Sequence, residues 1–599
     1  MLHALHVRPK ANNSWPGTLK VKMVVVRDPR PEARELVAAA RAALGLEELD
    51  LLVRGAYVVD VWARDVKRQD VGVKGRVIAC IGSCRGRARR VIDADGLFLA
   101  PGFIEAHIHV ESSFLSPSEF SRQLVTHGTT AAFVDVHEVG NVMGLRGVAA
   151  LARAFEAVRL KVFLLAPPNV PPSRKVDDQG GASIPYGEVL EAARGLSGIG
   201  EVMDLQSLAE GDEEFLSFAA QASTSFTVQG HMAGLTGPEL DAYVSLGIRN
   251  DHEVVSPEEL EERISRGVFP FVRYGSSWRD LDRLSHLVSR HSPLVSIVAD
   301  DIHALHLVAE GHLDRALRRA LELGVDPVDA VRAVTLAPAM AYGVEAWMGS
   351  IAPGRLADIV LLSGLDRGLS VIRTFIDGSE AVCNGAGADL GALKGTVRVS
   401  FTPSLEVRAP VGDGEASARL IELVNGSSLT RERVEEVRVR EGRVVTSGNV
   451  SEVHVINRYG KPRQGSGLLG LAVEGAIASS VSHDTHNVVV VGGDRRSMEA
   501  ALGAVLSADG GIAVARGGEV RALLPLPLAG LMSDMRAEEV AERLRTVINE
   551  LSRACRCDGD VLLHQLQLLS LTVIPELRVT DRGLYSVPRR SYVPLLEVS

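Results

Sequence analysis

Residues Pro101 to Ser113 read PGFIEAHIHVESS, an apolar run that ends in two histidines one residue apart. In an extended segment, side chains at i and i+2 share a face, so His107 and His109 project together from a strand end. Two imidazoles converging in this way can hold a divalent metal. With 17 histidines in 599 residues, about half a His-x-His pair is expected by chance, so the pair gains meaning only from the chain downstream of it.

That downstream chain is a repeated alternation. From Phe98 to about Gly349, short apolar runs (GTTAAFVDVH, KVFLLAPP, SFTVQGH, PLVSIVADD) alternate with helix-like segments such as PEELEERISRG and GHLDRALRRALELG. Strand–helix units of this length predict a parallel (β/α)8 barrel over residues 98–349. LDLLVRGAYVVDV and GVKGRVIACIG before it, and GSIAPGRLADIVLLSG and VIRTFIDGSEAVCNG after it, alternate as strands. The simplest arrangement joins residues 46–97 and 350–394 into one small β-sandwich domain with the barrel inserted. PEARELVAAARAAL, Pro31 to Leu44, has helical periodicity and gives an N-terminal helical segment over residues 1–45. Residues 395–599 mix GAIASSVSHDTHNVVVVGG with helices such as RAEEVAERLRTVINELSRA, which reads as a C-terminal α/β domain.

Composition narrows the class of function. Hydrophobic content of 46%, charged content of 23% and 58 glycines describe a soluble α/β protein. A net charge of −10 speaks against nucleic acid or an anionic membrane as the main partner. No run approaches the ~18 apolar residues of a membrane span, and MLHALHVRPKANNSWPG lacks a signal-peptide core, so a cytoplasmic protein is expected. Five cysteines, an odd number in a long chain, do not suggest a disulfide framework. Neither Cys80 and Cys84 nor Cys555 and Cys557 shows a usual zinc-site spacing. Strand edges in the alternating segments leave a homodimer open.

Chemistry in such a barrel sits at the C-terminal strand ends. His107 and His109 end LAPGFIEAHIH, Glu201 ends GLSGIGE, His231 ends SFTVQGH, His252 follows LGIRND, and Asp300, with Asp301, ends LVSIVADD. Four imidazoles and two carboxylates can bind two metal ions with open positions for water. Taken singly, each residue also fits a structural role: Glu201 as a first-turn helix charge, Asp300 as a helix cap. Ordered recurrence at successive strand ends is what favours ligation. Nitrogen and oxygen donors leave zinc, iron and manganese open.

PGFIEAHIHVESS, VHEVGNV, GEVM, GHMAGLTGPELDAYVSLGIRNDHE, ADDIHALHLVAEGHLDRALRRALELGVDP and GSIAPGRLADIVLL resemble the motifs of the adenine deaminase branch of the amidohydrolase superfamily. The resemblance continues through GAIASSVSHDTHNVVVVGG, LPLPLAGLMS and VIPELRVTDRGL, and so covers about residues 50–599. It implies that His107, His109, His231, His252 and Asp300 are metal ligands and that Glu201 bridges two ions. Manganese is the favoured metal, with iron or zinc as alternatives. The implied reaction is purine salvage: hydrolysis of adenine to hypoxanthine and ammonia by attack of a metal-bridging hydroxide on C6. Asp300 and Glu201 are then the catalytic carboxylates, Asp300 carrying the proton to the departing amine. His137 and Glu138 of VHEVGNV, and His483, Asp484 and His486 of VSHDTHN, are expected near the substrate. For His483 and His486, pinning the third region to the barrel is an equal alternative.

The chain departs from the family pattern at Val136, where proline is usual, at Gln229, where aspartate is usual, and at Ala299, where threonine is usual. LAPPNVPPS stands in place of a loop that commonly contains Ser-Cys-Val-Pro. Loops over a barrel mouth select substrates, so another aminopurine, a pterin or a cyclic amide is the rival substrate. A purine-binding protein without catalysis is the third reading, disfavoured because all six ligand-type residues are intact.

Overall fold

The computed structural model of the protein describes residues 29–174, 176, 180–381, 388–409, 411–424, 427–446 and 448–597. Residues 1–28, most of the expected N-terminal segment, and residues 382–387, at the end of the last alternating stretch, lie outside the described residues.

The expected N-terminal helix spans Ala33–Ala43, and its Ala39 and Ala42 pack on Val77 and Ala79. The alternating segments on both sides of the barrel share one eight-stranded mixed sheet. Its spine is Leu49–Asp60, antiparallel to Asp65–Lys74 and parallel to Phe98–Pro101. Phe98–Pro101 then pairs antiparallel with Ile359–Leu362, which joins the two halves of the chain. The sheet therefore claims Phe98–Pro101, and the barrel begins at Phe103 rather than at residue 98.

Eight parallel strands form the barrel: β1 (Phe103–His109), β2 (Thr129–Asp135), β3 (Lys161–Ala166), β4 (Gly198–Val202), β5 (Val228–Gly230), β6 (Asn250–Asp251), β7 (Phe269–Arg273) and β8 (Ser296–Val298). Every residue of β1, β2 and β4 is buried. This explains their continuous apolar runs, because a barrel strand faces lumen on one side and helices on the other. The ladder runs unbroken from β1 to β5 and again from β6 to β8. Asn250 spans the first gap with its side chain, donating to the Val228 carbonyl and accepting from Gly230 N, both at 2.9 Å. A parallel bridge between Ile108 and Asp300 closes the second, with Asp300 N donating to the His107 carbonyl at 3.1 Å. Phe133, Phe163, Phe271 and Tyr342 fill the lumen below the mouth.

The C-terminal region builds a nine-stranded sheet with the helices Arg495–Ser507, Ala537–Cys555 and Gly559–Gln567. It shares a single apolar core with the barrel. Phe120, Leu124 and Leu151 of the barrel helices join Leu524, Leu544 and Leu551 of the C-terminal region. The cysteine expectation is corrected: Cys80–Cys84 and Cys555–Cys557 are disulfides. Sequence separations of four and two put each bridge inside one local turn, a pairing that the odd total obscured. Among the described residues, no helix is long and apolar enough to cross a membrane.

Candidate metal centre

The six residues singled out at strand ends come together at the C-terminal mouth of the barrel. Extended backbone in β1 aims His107 and His109 the same way, with ring centroids 4.9 Å apart and nearly perpendicular. Glu201 of β4 lies between the two halves of the group. Its Oε1 is 3.1 Å from His109 Nε2 and 3.6 Å from His107 Nε2, and its Oε2 is 2.8 Å from His231 Nδ1 and 3.5 Å from His252 Nε2. Asp300 completes the set, its Oδ1 3.3 Å from His107 Nε2 and 3.4 Å from His109 Nε2. His107 and His252 stack at 3.8 Å.

The surrounding chain fixes these positions. Asp135, at the end of β2, accepts hydrogen bonds from Glu201 N at 2.7 Å and His137 N at 3.0 Å. A side chain on Gly200 would have its Cβ 2.1 Å from the Asp135 carboxylate, so only glycine admits this contact next to Glu201. Gln229 of β5 accepts from His107 Nδ1 at 3.1 Å. Arg273 of β7 stands 3.6 Å from Asp300 Oδ2 and is itself held by Asp280 and Glu253. Asp135, Gln229 and Arg273 were not singled out in the sequence as site residues. The period-2 spacing from Asp135 to His137 is the available signal for the first and the departure from the family's aspartate is that for Gln229; Arg273 has none.

Electrostatics favour cations in this centre. Burial works against charge on Glu201 and Asp300, yet the imidazoles outweigh it and hold both carboxyls well below the ordinary range. Burial opposes charge on His109 and His231 as well. Asp300 and Glu201 nevertheless push His109 well above its ordinary value, and Glu201 raises His231 to about 9. Two anions at 3% and 5% exposure need compensating positive charge. Protons on imidazoles or metal ions can supply it. His107 Nε2 makes no hydrogen bond among the described residues, although it points at both carboxylates. The donor set His107, His109 and Glu201, with His107, His252 and Asp300 and with Glu201, His231 and His252, fits divalent metal. The residues suit the group the sequence implied.

His137 sits at the rim, 3.3 Å from Asp135 and 3.8 Å from both Glu201 and Asp484. Glu138 instead accepts hydrogen bonds from His483 and His486 of the C-terminal region. Asp301 leaves the cluster and accepts from Ser112 Oγ. Beside the cluster, Glu111, Ser112 and Asp301 of the barrel and His483, His564 and Gln567 of the C-terminal region line a cavity. Burial, with Glu138 nearby, raises the Glu111 carboxyl to about 7. Glu111 Oε2, His564 Nε2 and Gln567 Nε2 have no hydrogen-bond partner among the described residues. Such buried groups mark a wall built for a polar ligand.

Comparison with known proteins agrees with this architecture. Residues 98–381 match the amidohydrolase family, and residues 427–591 match the adenine deaminase C-terminal domain. The adenine deaminase of Kosmotoga olearia is 34% identical over 576 residues, covering 92% of this chain and 97% of that protein. That of Methanothrix thermoacetophila is 35% identical over 582 residues, covering 94% and 99%. That of Deinococcus deserti is 36% identical over 581 residues, covering 94% and 98%. The chain belongs to the adenine deaminase family of amidohydrolases.

Proposed function

We propose that this protein is an adenine aminohydrolase that converts adenine and water to hypoxanthine and ammonia, in cytoplasmic purine salvage. The observation that carries the reading is the convergence of four imidazoles and two carboxylates beside a cavity walled by both domains. His107, His109, His231, His252, Glu201 and Asp300 would hold two divalent ions, with manganese favoured and iron or zinc as alternatives. Bound there, the ions supply a water acidified toward a pKa of ~7 and a Lewis acid for the ring.

The chain's own groups account for the rest. Asp300 is the group for proton transfer, taking the proton of the attacking water and delivering it to the amine that leaves C6. What supports this role is its ionised state and its distance of 3.3 Å from His107 and 3.4 Å from His109. Glu201 orients both halves of the ligand set. Arg273, 3.6 Å from the other Asp300 oxygen, steadies the carboxylate. The unpaired polar atoms of Glu111, His564 and Gln567 supply hydrogen-bonding partners for the purine edge, and the C-terminal domain limits bulk water at the ring.

The test is product analysis on a panel of adenine, guanine, a pterin and a cyclic amide, using protein reconstituted in turn with manganese, iron and zinc. Ammonia and hypoxanthine are expected from adenine, with the highest turnover in the manganese form. Preferred turnover of another heterocycle, or none with any metal, would overturn the reading.

A further inference from the structure

A second cluster of metal-type donors lies outside the six-residue centre, where the barrel meets the C-terminal domain, with His303 and Asp560 on the wall of the cavity described above. His303 and His306 flank the start of the helix Ala304–Ala309, just after β8. Asp560 is the second residue of the helix Gly559–Gln567 in the C-terminal domain. Asp560 Oδ1 is 2.9 Å from His303 Nε2, and Oδ2 is 4.0 Å from His306 Nε2. One donor atom from each residue lies within 4.8 Å of the other two. Glu310 Oε1 adds a donor from a fourth residue, 3.7 Å from His306 Nε2. For tetrahedral bonds of ~2.0–2.2 Å to zinc-like ions, neighbouring ligand atoms stand roughly 3.3–3.6 Å apart. The separations of 2.9, 3.7 and 4.0 Å bracket that spacing.

The protonation pattern suits ligation. Ser276 Oγ accepts from His303 N at 3.0 Å and lies 2.8 Å from His306 Nδ1. An Nδ1–H donated to Ser276 leaves the His306 Nε2 lone pair facing Asp560, the arrangement that outer-sphere partners impose on metal-binding histidines. Burial, with His303 and Arg315 adding to it, lowers the His306 imidazole to about 3, so it is neutral and available as a donor. His303 is 8% exposed, and its Nδ1 has no hydrogen-bond partner among the described residues. Glu310 and Asp560 keep side-chain exposures of 48% and 25%, which opens a path from solvent.

The geometry points to a third divalent-cation site, formed by His303, His306 and Asp560 with Glu310 at its edge, that clasps the C-terminal domain to the barrel. Arg315 binds Glu310 at 2.6 Å, and Arg279 acts on both Glu310 and Asp560. Two guanidinium groups thus balance two carboxylates, and the site has little net charge to attract an ion. Its affinity is therefore lower than that of the central cluster. The ion leaves first on chelation, and its loss loosens the domain junction on the cavity side while the six-residue centre keeps its metal.

Equilibrium dialysis of the holoprotein against a stepped Zn2+ series tests this. Beyond the tightly held metal, wild type should take up about one further equivalent per chain, the capacity of a single three-donor site. His306→Asn should lose that uptake, and Asp560→Asn, whose neutral amide oxygen is a weaker donor than a carboxylate in a site of already low affinity, should move it beyond the range of the series. Glu310→Gln should only shift it to higher Zn2+, and His107→Ala should lose tight metal while keeping the weaker step. Asp560→Asn still accepts the hydrogen bond from His303, so it separates cation binding from a simple latch and keeps the test valid if His306→Asn folds poorly. Thermal midpoints in the same series should rise with Zn2+ for wild type and not for Asp560→Asn. Identical uptake by wild type and Asp560→Asn at every concentration would overturn the proposal, whatever the substrate of the central cluster.

Discussion

Gln229 sets the tautomer of His107. Its amide nitrogen donates to the Ala106 carbonyl at 3.0 Å and to Tyr342 Oη at 2.9 Å, so its oxygen is the atom 3.1 Å from His107 Nδ1. Tyr342 Oη can accept because its own proton goes to Ala106 O at 2.6 Å. An amide oxygen only accepts, so His107 carries a proton on Nδ1, and Nε2 is the nitrogen left to face Glu201 and Asp300. Gln229→Ala removes that partner, and such losses typically weaken metal affinity or activity by ~10–100-fold. Metal titration of the apoprotein with a competing chelator measures it. Unchanged affinity would show that strand geometry alone orients the ring.

Glu138 is expected to lock the two domains together. It accepts from His483 and His486, while His486 Nδ1 accepts from Ser482 N at 3.2 Å, which leaves Nε2–H for the carboxylate. Burial opposes the charge on Glu138, but His483, His486 and His137 hold it well below the usual carboxylate range. Burial would lower His483, yet the same carboxylate raises it to about 9. Glu138→Ala leaves that buried imidazolium without its hydrogen-bonded anion, with only Asp301 and Asp484 still acting on it, and breaking such a pair costs about 3–5 kcal/mol. Glu538→Ala is the control, since its pair with Arg122 is half exposed on the Glu538 side and is worth about 0–1 kcal/mol. Calorimetry should show a clear fall in midpoint for the first and little for the second.

Acid should weaken the fold partly through His564. This residue is half-buried in the cavity wall, edge-on to Trp278 at 5.0 Å. Burial, reinforced by His483, lowers it from 6.5 to about 4. As pH falls through 6.5 the unfolded chain takes up the proton before the folded chain does. Stability from this group is therefore full above that value and is lost progressively toward pH 4, with a slope of at most about 1.4 kcal/mol per pH unit. His564→Gln should flatten the fall in urea midpoint between pH 7 and pH 5. Parallel curves for variant and wild type would remove His564 from the acid response.

How far the sequence carried depends on the range of each interaction. The spacing of His107 and His109 was legible because strand periodicity is local, and both rings do share a face. The barrel was legible because strands buried on both sides become apolar runs. The link between Ile108 and Asp300 was not, since 192 positions separate partners that meet only when the barrel closes. Gln229 read as a departure from the family, whereas its place against His107 depends on a hydrogen bond across 122 positions. His303 and Asp560 are 257 positions apart, and no spacing rule reaches that far. The strand Phe98–Pro101 was misassigned because its apolar run is continuous with that of β1; only its pairing with Ile359–Leu362 separates them.

Asp300 and Asp301 offer the sharpest division of roles between neighbours. Asp300 adopts a φ of 57°, a left-handed conformation that Asp and Asn tolerate better than most residues. Asp300→Asn should therefore keep the bridge to Ile108 and the fold. Asparagine can still offer a carbonyl oxygen to a cation, so much of the metal should remain. It cannot take a proton, however, and the loss expected in turnover is about 10²–10⁴-fold, the usual worth of a positioned acid–base group. Asp301 accepts from Ser112 Oγ at the cavity wall and stands outside the cluster. Asp301→Asn keeps an oxygen for that hydroxyl, so its effect should fall on KM more than on kcat. Steady-state ammonia release from adenine, with metal analysis of both variants, separates the cases. Equal turnover of Asp300→Asn and wild type would remove Asp300 from proton transfer, and a larger kcat loss at Asp301 would move the role one residue along the chain.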